Sequence, residues 1–335
     1  MSFMAYPFWR VLPPPLAHRL APLAVKWASF LKGEERPPSW HSKVLLGQSY
    51  PNPLGVAAGF DKNAYLVPHL FRLGFGFVEI GTVTPRPQGP NPGRIVDRDW
   101  SNKALWNKMG FPSEGAHRVA SRLEQLSPAE CFGPLWINIG KNRDTPSDQA
   151  VADYVTAAKV LQAHADVFVV NISSPNTSGL RDLQSSSFLE SLAEHFDKSG
   201  LRQPVLIKLS PDLEEESLWH LLESAASLGF AGVSLTNTTL QRPGNLVPFP
   251  KEGGVSGRPL ASLSVRALEI ATRFRRELGR SFVLVSAGGI MTHEDIKLRA
   301  ELGADLFQVY SVLAFEGFYF AKNMAHYFRG SSAKK

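Results

Sequence analysis

The sequence contains one cysteine, Cys131, in 335 residues. An intramolecular disulfide is therefore excluded, and a lone thiol beside Phe132 reads as a core or loop residue in a reduced compartment. No run of 18 apolar residues occurs, which argues against a simple membrane-spanning helix. HExxH, zinc-finger spacing and clusters of metal-ligating side chains are all missing, so no metal site is expected. GxGxxG is missing too, leaving dinucleotide binding without direct support. Charge of either sign is not in large excess: 36 Lys and Arg against 30 Asp and Glu give +6. Spread along the chain, that balance suits an anionic small ligand or an anionic membrane surface, and no nucleic-acid partner is expected. There is no clear coiled coil or repeat, and no obligate protein partner is expected.

What is present begins with an unusual N-terminus. A short segment from Phe3 to Leu12 ends at Pro13-Pro14-Pro15. After it, Leu16, Leu20, Leu23, Trp27 and Phe30 or Leu31 recur at three- and four-residue spacing, the mark of one apolar helical face. His18, Arg19, Lys26 and Lys32 supply polar character elsewhere. Two readings stand: a helical pair packed on the main domain, or an element lying on a bilayer. Prolines within the apolar part argue against a cleaved signal peptide.

Beyond Trp40 the chain becomes regular. Eight apolar runs follow: Leu54–Gly59, Phe77–Val83, Trp136–Gly140, Val167–Ser173, Val205–Ser210, Gly232–Asn237, Val283–Gly288 and Leu306–Ser311. Amphipathic stretches such as Ser147–Gln162, Glu214–Leu228, Leu260–Leu278 and Thr292–Leu302 lie between them. This alternation predicts parallel βαβ units, and eight units predict a closed (β/α)8 barrel, a TIM barrel with a small N-terminal helical extension. A doubly wound sheet is the alternative. Two connections, Thr84 to Leu135 and Thr238 to Pro259, exceed plain crossovers and are candidate lids or walls.

In such a barrel the C-terminal strand ends share one mouth. They supply Lys62, Thr82, Asn138, Asn171, Ser173, Ser174, Asn176, Lys208, Thr236, Asn237 and Thr238, and the first long connection adds Asn107. Carboxylates are few there. Asp61 and Asp212 stand near the rim without forming an acid–base pair, which disfavours glycosidase chemistry. Asparagine offers both an acceptor and a donor, so several around one cavity suit a flat heterocycle with alternating C=O and N–H groups. Gly288 and Gly289, with Gly257 and a helix starting near Thr292, suggest backbone donors for a phosphate. A flavin mononucleotide (FMN) fits this pattern better than a dinucleotide. Flavin chemistry on a polar heterocycle needs a base for the companion proton. No histidine occurs at any strand end. Lys208 is equally suited to stabilise negative charge on the flavin, which leaves a serine of VVNISSPNTSGLR, Val169 to Arg181.

AAGFDKN, EIGTVTPRPQ, NKMGF, NIGKN, VNISSPNTSGLR, IKLSPDL, LTNTT, GGVSGRPL and SAGGI occur in the order found in dihydroorotate dehydrogenases, which the chain resembles from about Gly47 to Phe320. It resembles class 2, the membrane-associated, quinone-linked type: the N-terminal extension is similar to its two-helix domain, and NISSPNT carries serine where class 1 has a cysteine base. The resemblance implies two units, 1–39 for membrane association and quinone access and 40–335 as the FMN-binding barrel. It implies FMN beside Ala58, Gly59, Thr82, Asn138, Asn171, Lys208, Thr236, Gly257, Gly288, Gly289, Tyr310 and Ser311. Dihydroorotate would be held by Lys62, Asn107, Lys108, Met109, Gly110, Phe111, Asn171, Asn176, Asn237 and Thr238. Ser174 would take the C5 proton as hydride passes from C6 to the flavin, giving orotate in pyrimidine synthesis. Ubiquinone or menaquinone would reoxidise the flavin, arriving past Phe3, Phe8, Trp9, Leu16, Leu20 and Leu23. Such a protein would sit peripherally on membrane lipid, at the cytoplasmic face of the cell membrane if bacterial.

Departures from the family pattern are Ala64 where glycine is common, Val312 and Leu313 after VYS, Phe318 where proline is usual, and extra charge with an aromatic in NPGRIVDRDWSNKALW. A class 1-like enzyme would need a cysteine base or an iron–sulfur partner. A dihydropyrimidine or dihydrouridine reductase would need a cysteine acid. A non-catalytic barrel or nucleic-acid module would leave the asparagine-lined mouth unexplained.

Overall fold

A computed structural model of the chain describes residues 8–32, 36–242 and 249–332. Eight parallel strands close into a barrel: β1 (Leu54–Val56), β2 (Phe77–Val83), β3 (Leu135–Ile139), β4 (Val167–Asn171), β5 (Val205–Leu209), β6 (Gly232–Leu235), β7 (Val283–Ala287) and β8 (Leu306–Val309). Each pairs with its sequence neighbour, and β8 pairs with β1, Phe307 opposite Leu54. The doubly wound alternative is thereby excluded. The outer helices are α2 (Val67–Arg72), α3 (Ala116–Leu123), α4 (Ala150–Leu161), α5 (Ser186–Ser199), α6 (Glu215–Ser227), α7 (Ala261–Leu278) and α8 (His293–Glu301), followed by α9 (Ser311–Phe315) and α10 (Phe320–Ser332).

The period of two along a strand sorts the barrel interior into layers. Phe77, Trp136, Leu206 and Leu306 form an apolar floor with Val167, Val169, Val283 and Val285. Gly55 makes room for it: a Cβ there would lie 2.4 Å from the Phe77 ring. A hairpin, Lys43–Leu45 with Gln48–Tyr50, closes the bottom. It adds the buried Tyr50 ring, whose hydroxyl accepts from Trp136 Nε1 at 3.1 Å. Two residues further along the same strands come Glu79, Asn138, Lys208 and Gln308, all buried. The polar layer thus rests directly on the apolar one.

The two long connections meet. Val96–Asp99, Ala104–Asn107 and Gly254–Gly257 build one three-stranded antiparallel sheet, with Ala104–Asn107 in the middle. The sequence hides these strands because each is four residues long and none has a clean alternation.

At the N-terminus a 3-10 turn, Phe8–Val11, precedes α1 (Pro14–Lys32). The helix begins inside the proline run, where the missing N–H groups would have no intrahelical partner anyway. It lies against α2 and the Val96–Asp99 strand. Ser29 Oγ meets His69 Nδ1 at 2.8 Å, and Arg98 donates to the carbonyls of Arg10 and Leu12. Of the apolar face read from spacing, only Leu20 turns to the cavity. Leu16, Leu23, Trp27, Phe30 and Leu31 are exposed, Trp27 by 68% and Phe30 by 70%, whereas Val25 and Ser29 are buried. Phe3 and the side chains of Phe8 and Trp9 lie outside the described residues.

Replacing Phe77 by Ala should cost about 3–5 kcal/mol of unfolding free energy, because the floor has no spare side chain to collapse inward. Urea denaturation followed by tryptophan fluorescence measures it; a loss below about 1 kcal/mol would show that the floor repacks.

Candidate active site

The C-terminal strand ends converge on a cavity of about 250 Å³ that extends to the inner side of α1. Its wall includes Ala58, Gly59 and Lys62 after β1, Thr82 at the end of β2, and Asn171, Ser174 and Asn176 from β4 and its loop. Lys208, Thr236, Asn237 and Thr238 come from β5 and β6, Gly288 and Gly289 follow β7, and Tyr310 and Ser311 follow β8. The antiparallel sheet and the loop after it bring Asn107, Met109, Gly110 and Phe111. Most of the sequence-predicted site residues therefore meet at one cavity. Three residues stand elsewhere. Asn138 is wholly buried beneath the wall. Lys108 turns outward to an ion pair with Glu252. Gly257 is not in the wall either; a Cβ there would meet the Lys103 carbonyl oxygen at 2.0 Å, and its neighbour Ser256 faces the cavity instead.

A continuous hydrogen-bond network orders the polar layer. Asn138 Nδ2 donates to Glu79 Oε1 at 2.7 Å, and Gln308 Nε2 donates to Glu79 Oε2. Asn138 Oδ1 accepts from Thr82 Oγ1 at 2.5 Å and from Asn171 Nδ2 at 3.2 Å. Asn171 Oδ1 accepts from Ser173 Oγ at 3.0 Å and Asn237 Nδ2 at 3.3 Å. Around the rim, Arg181 ties three loops together. It donates to the carbonyls of Ser173 at 3.0 Å and Thr238 at 2.8 Å, and pairs with Asp212 at 2.8 Å.

The network separates the two serines of the opening stretch. Ser173 gives its proton to Asn171 and accepts from Asn237 Nδ2 at 3.0 Å, so its proton is committed. Ser174 lines the cavity, and its Oγ accepts the Asn176 N–H at 3.2 Å, leaving its own proton uncommitted among the described residues. Three buried oxygens nearby, Asn176 Oδ1, Thr177 Oγ1 and Thr238 Oγ1, have no partner among the described residues. Buried polar atoms are normally paired; those of Asn176 and Thr238 belong to residues in the cavity wall and mark where a polar ligand edge belongs.

Lys62 Nζ donates to the Gly59 carbonyl at 2.7 Å. Burial pushes its pKa down to about 8, opposed in part by the neighbouring Asp61 carboxylate. Burial raises the Asp61 pKa, while the N–H groups of Leu66 and Tyr65 hold it down. His18 of α1 also faces the cavity, and burial, reinforced by the charge of Lys62, lowers its pKa to about 4. The ring is thus neutral at pH 7. In the sequence His18 looked like part of the polar face; in the fold it belongs to the interior side.

At the β7 end, Gly288 and Gly289 have φ of +101° and +72°. Neither N–H meets a backbone carbonyl among the described residues. The Gly288 carbonyl is held from behind by Ser264 Oγ at 2.7 Å and by the buried Arg299 at 2.8 Å. Ser256 and Ser311 share a hydroxyl contact of 2.9 Å close by. These groups fit an anionic tail. The helix starting near Thr292 opens on a capping box: Asp295 Oδ2 accepts the Met291 and Thr292 N–H groups, and Thr292 Oγ1 accepts the Asp295 N–H.

Sequence reasoning passed over Glu79, Gln308, Arg181 and, of the inward residues of α1, Ala17, Ala21 and Ala24, while naming Leu20. For Glu79 the signal was visible: one carboxylate in the apolar run FVEIGTV. Of the departures, Leu313 and Phe318 line the cavity, while Val312 is wholly buried. Ala64 has φ +63°, the conformation glycine takes most readily.

A sequence profile of the dihydroorotate dehydrogenase family matches residues 41–328. The chain is 42% identical over 310 residues to the dihydroorotate dehydrogenase (quinone) of Mycolicibacterium smegmatis, covering 90% of this chain and 85% of that one. It is 43% identical over 280 residues to the protein of the same description from Thermus thermophilus, covering 83% and 80%. Among solved structures, DHODH from Eimeria tenella in complex with ferulenol superposes with a TM-score of 0.86 at 32% identity, covering 95% of this chain and 92% of that one. With its closed barrel and its gathered strand ends, the chain belongs to the dihydroorotate dehydrogenase family, among the quinone-linked members.

Proposed function

We propose that this protein oxidises dihydroorotate to orotate, with a flavin as first electron acceptor and a membrane quinone as the second, in pyrimidine biosynthesis. The observation that carries the reading is the convergence of Ser174, Lys62 and the partnerless oxygens of Asn176 and Thr238 on one cavity wall. Family membership supports the flavin; the cavity's phosphate-like corner supports FMN. Ala58, Gly59, Thr82, Asn171, Lys208 and Thr236 would hold its ring system, with Asn138 acting from beneath. Gly288, Gly289, Tyr310 and Ser311 would hold its tail. When bound, the flavin supplies the hydride acceptor for C6 of the substrate and the electrons for the quinone.

The chain's own residues do the rest. Lys62 pairs with the substrate carboxylate. Asn107, Asn171, Asn176, Asn237 and Thr238 match the pyrimidine's alternating donors and acceptors. Ser174 Oγ receives the C5 proton, so that the C5–H and C6–H bonds break as the C5=C6 double bond forms. Serine is a weak base in water. Its position inside the wall, with the Thr177 hydroxyl three residues on, supports a relay that hands the proton outward. The sheet formed by the two long connections screens this chemistry from bulk water.

The quinone's side of the cavity is built from Ala17, His18, Leu20, Ala21 and Ala24 of α1, facing Leu313, Ala314 and Phe318. No helix among the described residues is long and apolar enough to cross a membrane. The exposed stripe of Leu23, Trp27, Phe30 and Leu31 supports a peripheral attachment to lipid, on the cytoplasmic face if the cell is bacterial. Residues 1–39 then form the membrane-association and quinone-access unit and residues 40–335 the catalytic barrel, taking ubiquinone or menaquinone and needing no protein partner.

An anaerobic visible spectrum tests the core of this. Flavin absorbance should bleach when dihydroorotate is added and return with a short-chain quinone. Ser174→Ala should keep its flavin but bleach about 100-fold more slowly; unchanged bleaching would remove Ser174 as the base. Orotate affinity should fall as pH rises through about 8, because Lys62 then loses the proton that makes it a carboxylate partner. A Kd that is flat from pH 7 to 9.5 would dismiss that role. Leu23→Glu with Trp27→Glu should abolish sedimentation with anionic liposomes while sparing bleaching by dihydroorotate. Undiminished sedimentation would sink the docking face.

A further inference from the structure

Glu79 has no part in the reading above, yet the polar layer is built around it. Its carboxylate has no solvent exposure. Three groups answer it: Asn138 Nδ2 at 2.7 Å, Gln308 Nε2, and Lys208 Nζ at 3.6 Å from Oε1. Lys208 lines the cavity, and Glu79 is its one carboxylate within ion-pair distance among the described residues. The ammonium donates no hydrogen bond to a described residue, so its protons remain available to a ligand.

A carboxylate accepts hydrogen bonds and does not donate them. At the root of the network it forces Asn138 to turn its NH2 downward. The Asn138 carbonyl then faces up, where it accepts from Thr82 and Asn171. Asn171 must in turn present Oδ1 to Ser173 and Asn237. An amide at position 79 would tolerate either direction of the whole chain. The second effect is electrostatic. In a site this buried, screening is weak and a charge within 4 Å is felt strongly.

We propose that Glu79 is a positioning residue for the bound flavin: it fixes the direction of the amides at the barrel mouth and offsets part of the Lys208 charge, holding the cofactor's reduction potential below the value an unpaired Lys208 would impose. This rests on the functional reading above. A reduction potential set between those of the pyrimidine and the quinone serves both half-reactions, whereas an unopposed lysine favours the first at the expense of the second.

The test is the flavin midpoint potential of four forms: wild type, Glu79→Gln, Lys208→Met and the double variant, with dihydroorotate bleaching of the wild type as control. Glu79→Gln should favour the reduced cofactor by about tenfold, roughly 30 mV for a two-electron couple. In the Lys208→Met background the same substitution should shift it by less than a third of that, because the cation whose charge the carboxylate offsets at 3.6 Å is gone. An unshifted Glu79→Gln, or an equal shift in both backgrounds, would overturn the inference while the control leaves the functional reading intact. Wild-type protein that binds no flavin would overturn both. If Glu79→Gln does not fold, the inference requires the double variant to fold, since both buried charges are then gone. Failure of that double variant beside a folded Lys208→Met would assign Glu79 to the fold alone.

Discussion

A carboxylate sealed from water at the centre of a barrel must be answered by donors, and each donor then has a fixed direction. That constraint governs the mouth of this protein. Asn138 and Gln308 turn their amide N–H groups toward Glu79, and Lys208 contributes its charge. Phe77, Trp136, Leu206 and Leu306 fill the space below the layer. The polar groups that ligands would meet are therefore anchored from beneath by hydrogen bonds and supported by packed rings, and their orientation is not left to the ligand.

A similar division appears at the rim. Arg181 reaches the carbonyls of Ser173 and Thr238 and the carboxylate of Asp212, so loops after β4, β5 and β6 share one cation. Asp212 had looked like a rim carboxylate with no function in the sequence. It is instead the acceptor for Arg181, the Leu240 N–H and the Thr239 hydroxyl. Ser174 and Asn176 stand on a loop fastened in this way, which is a physical reason for their side chains to be held steadily.

Much of this was legible in the order of residues. Eight short Val- and Ile-rich runs ending in Gly, Ser, Asn or Thr carry a period and a punctuation that local chemistry enforces, and their ends named the polar part of the cavity wall. What escaped depends on contacts between distant segments. VDRD, ALWN and GVSG become strands only by pairing with one another. Most large side chains of α1 lie on one exposed stripe, but Leu20 turns inward with Ala17, Ala21 and Ala24, which spacing alone does not say. Thr292 and Asp295 satisfy their own helix, which only the capping geometry reveals. Glu79 escaped because a charge inside a strand has meaning only once its neighbours across the barrel are known.

The antiparallel sheet over the mouth has a mechanical consequence. Its middle strand, Ala104–Asn107, is hydrogen-bonded on one side to its own connection and on the other to Gly254–Gly257 from the opposite half of the chain. Neither connection can swing away from the rim alone without breaking a ladder. The two connections, remote in sequence, therefore act on that side as one mechanical unit: a substitution that stiffens one stiffens the other, which it never touches.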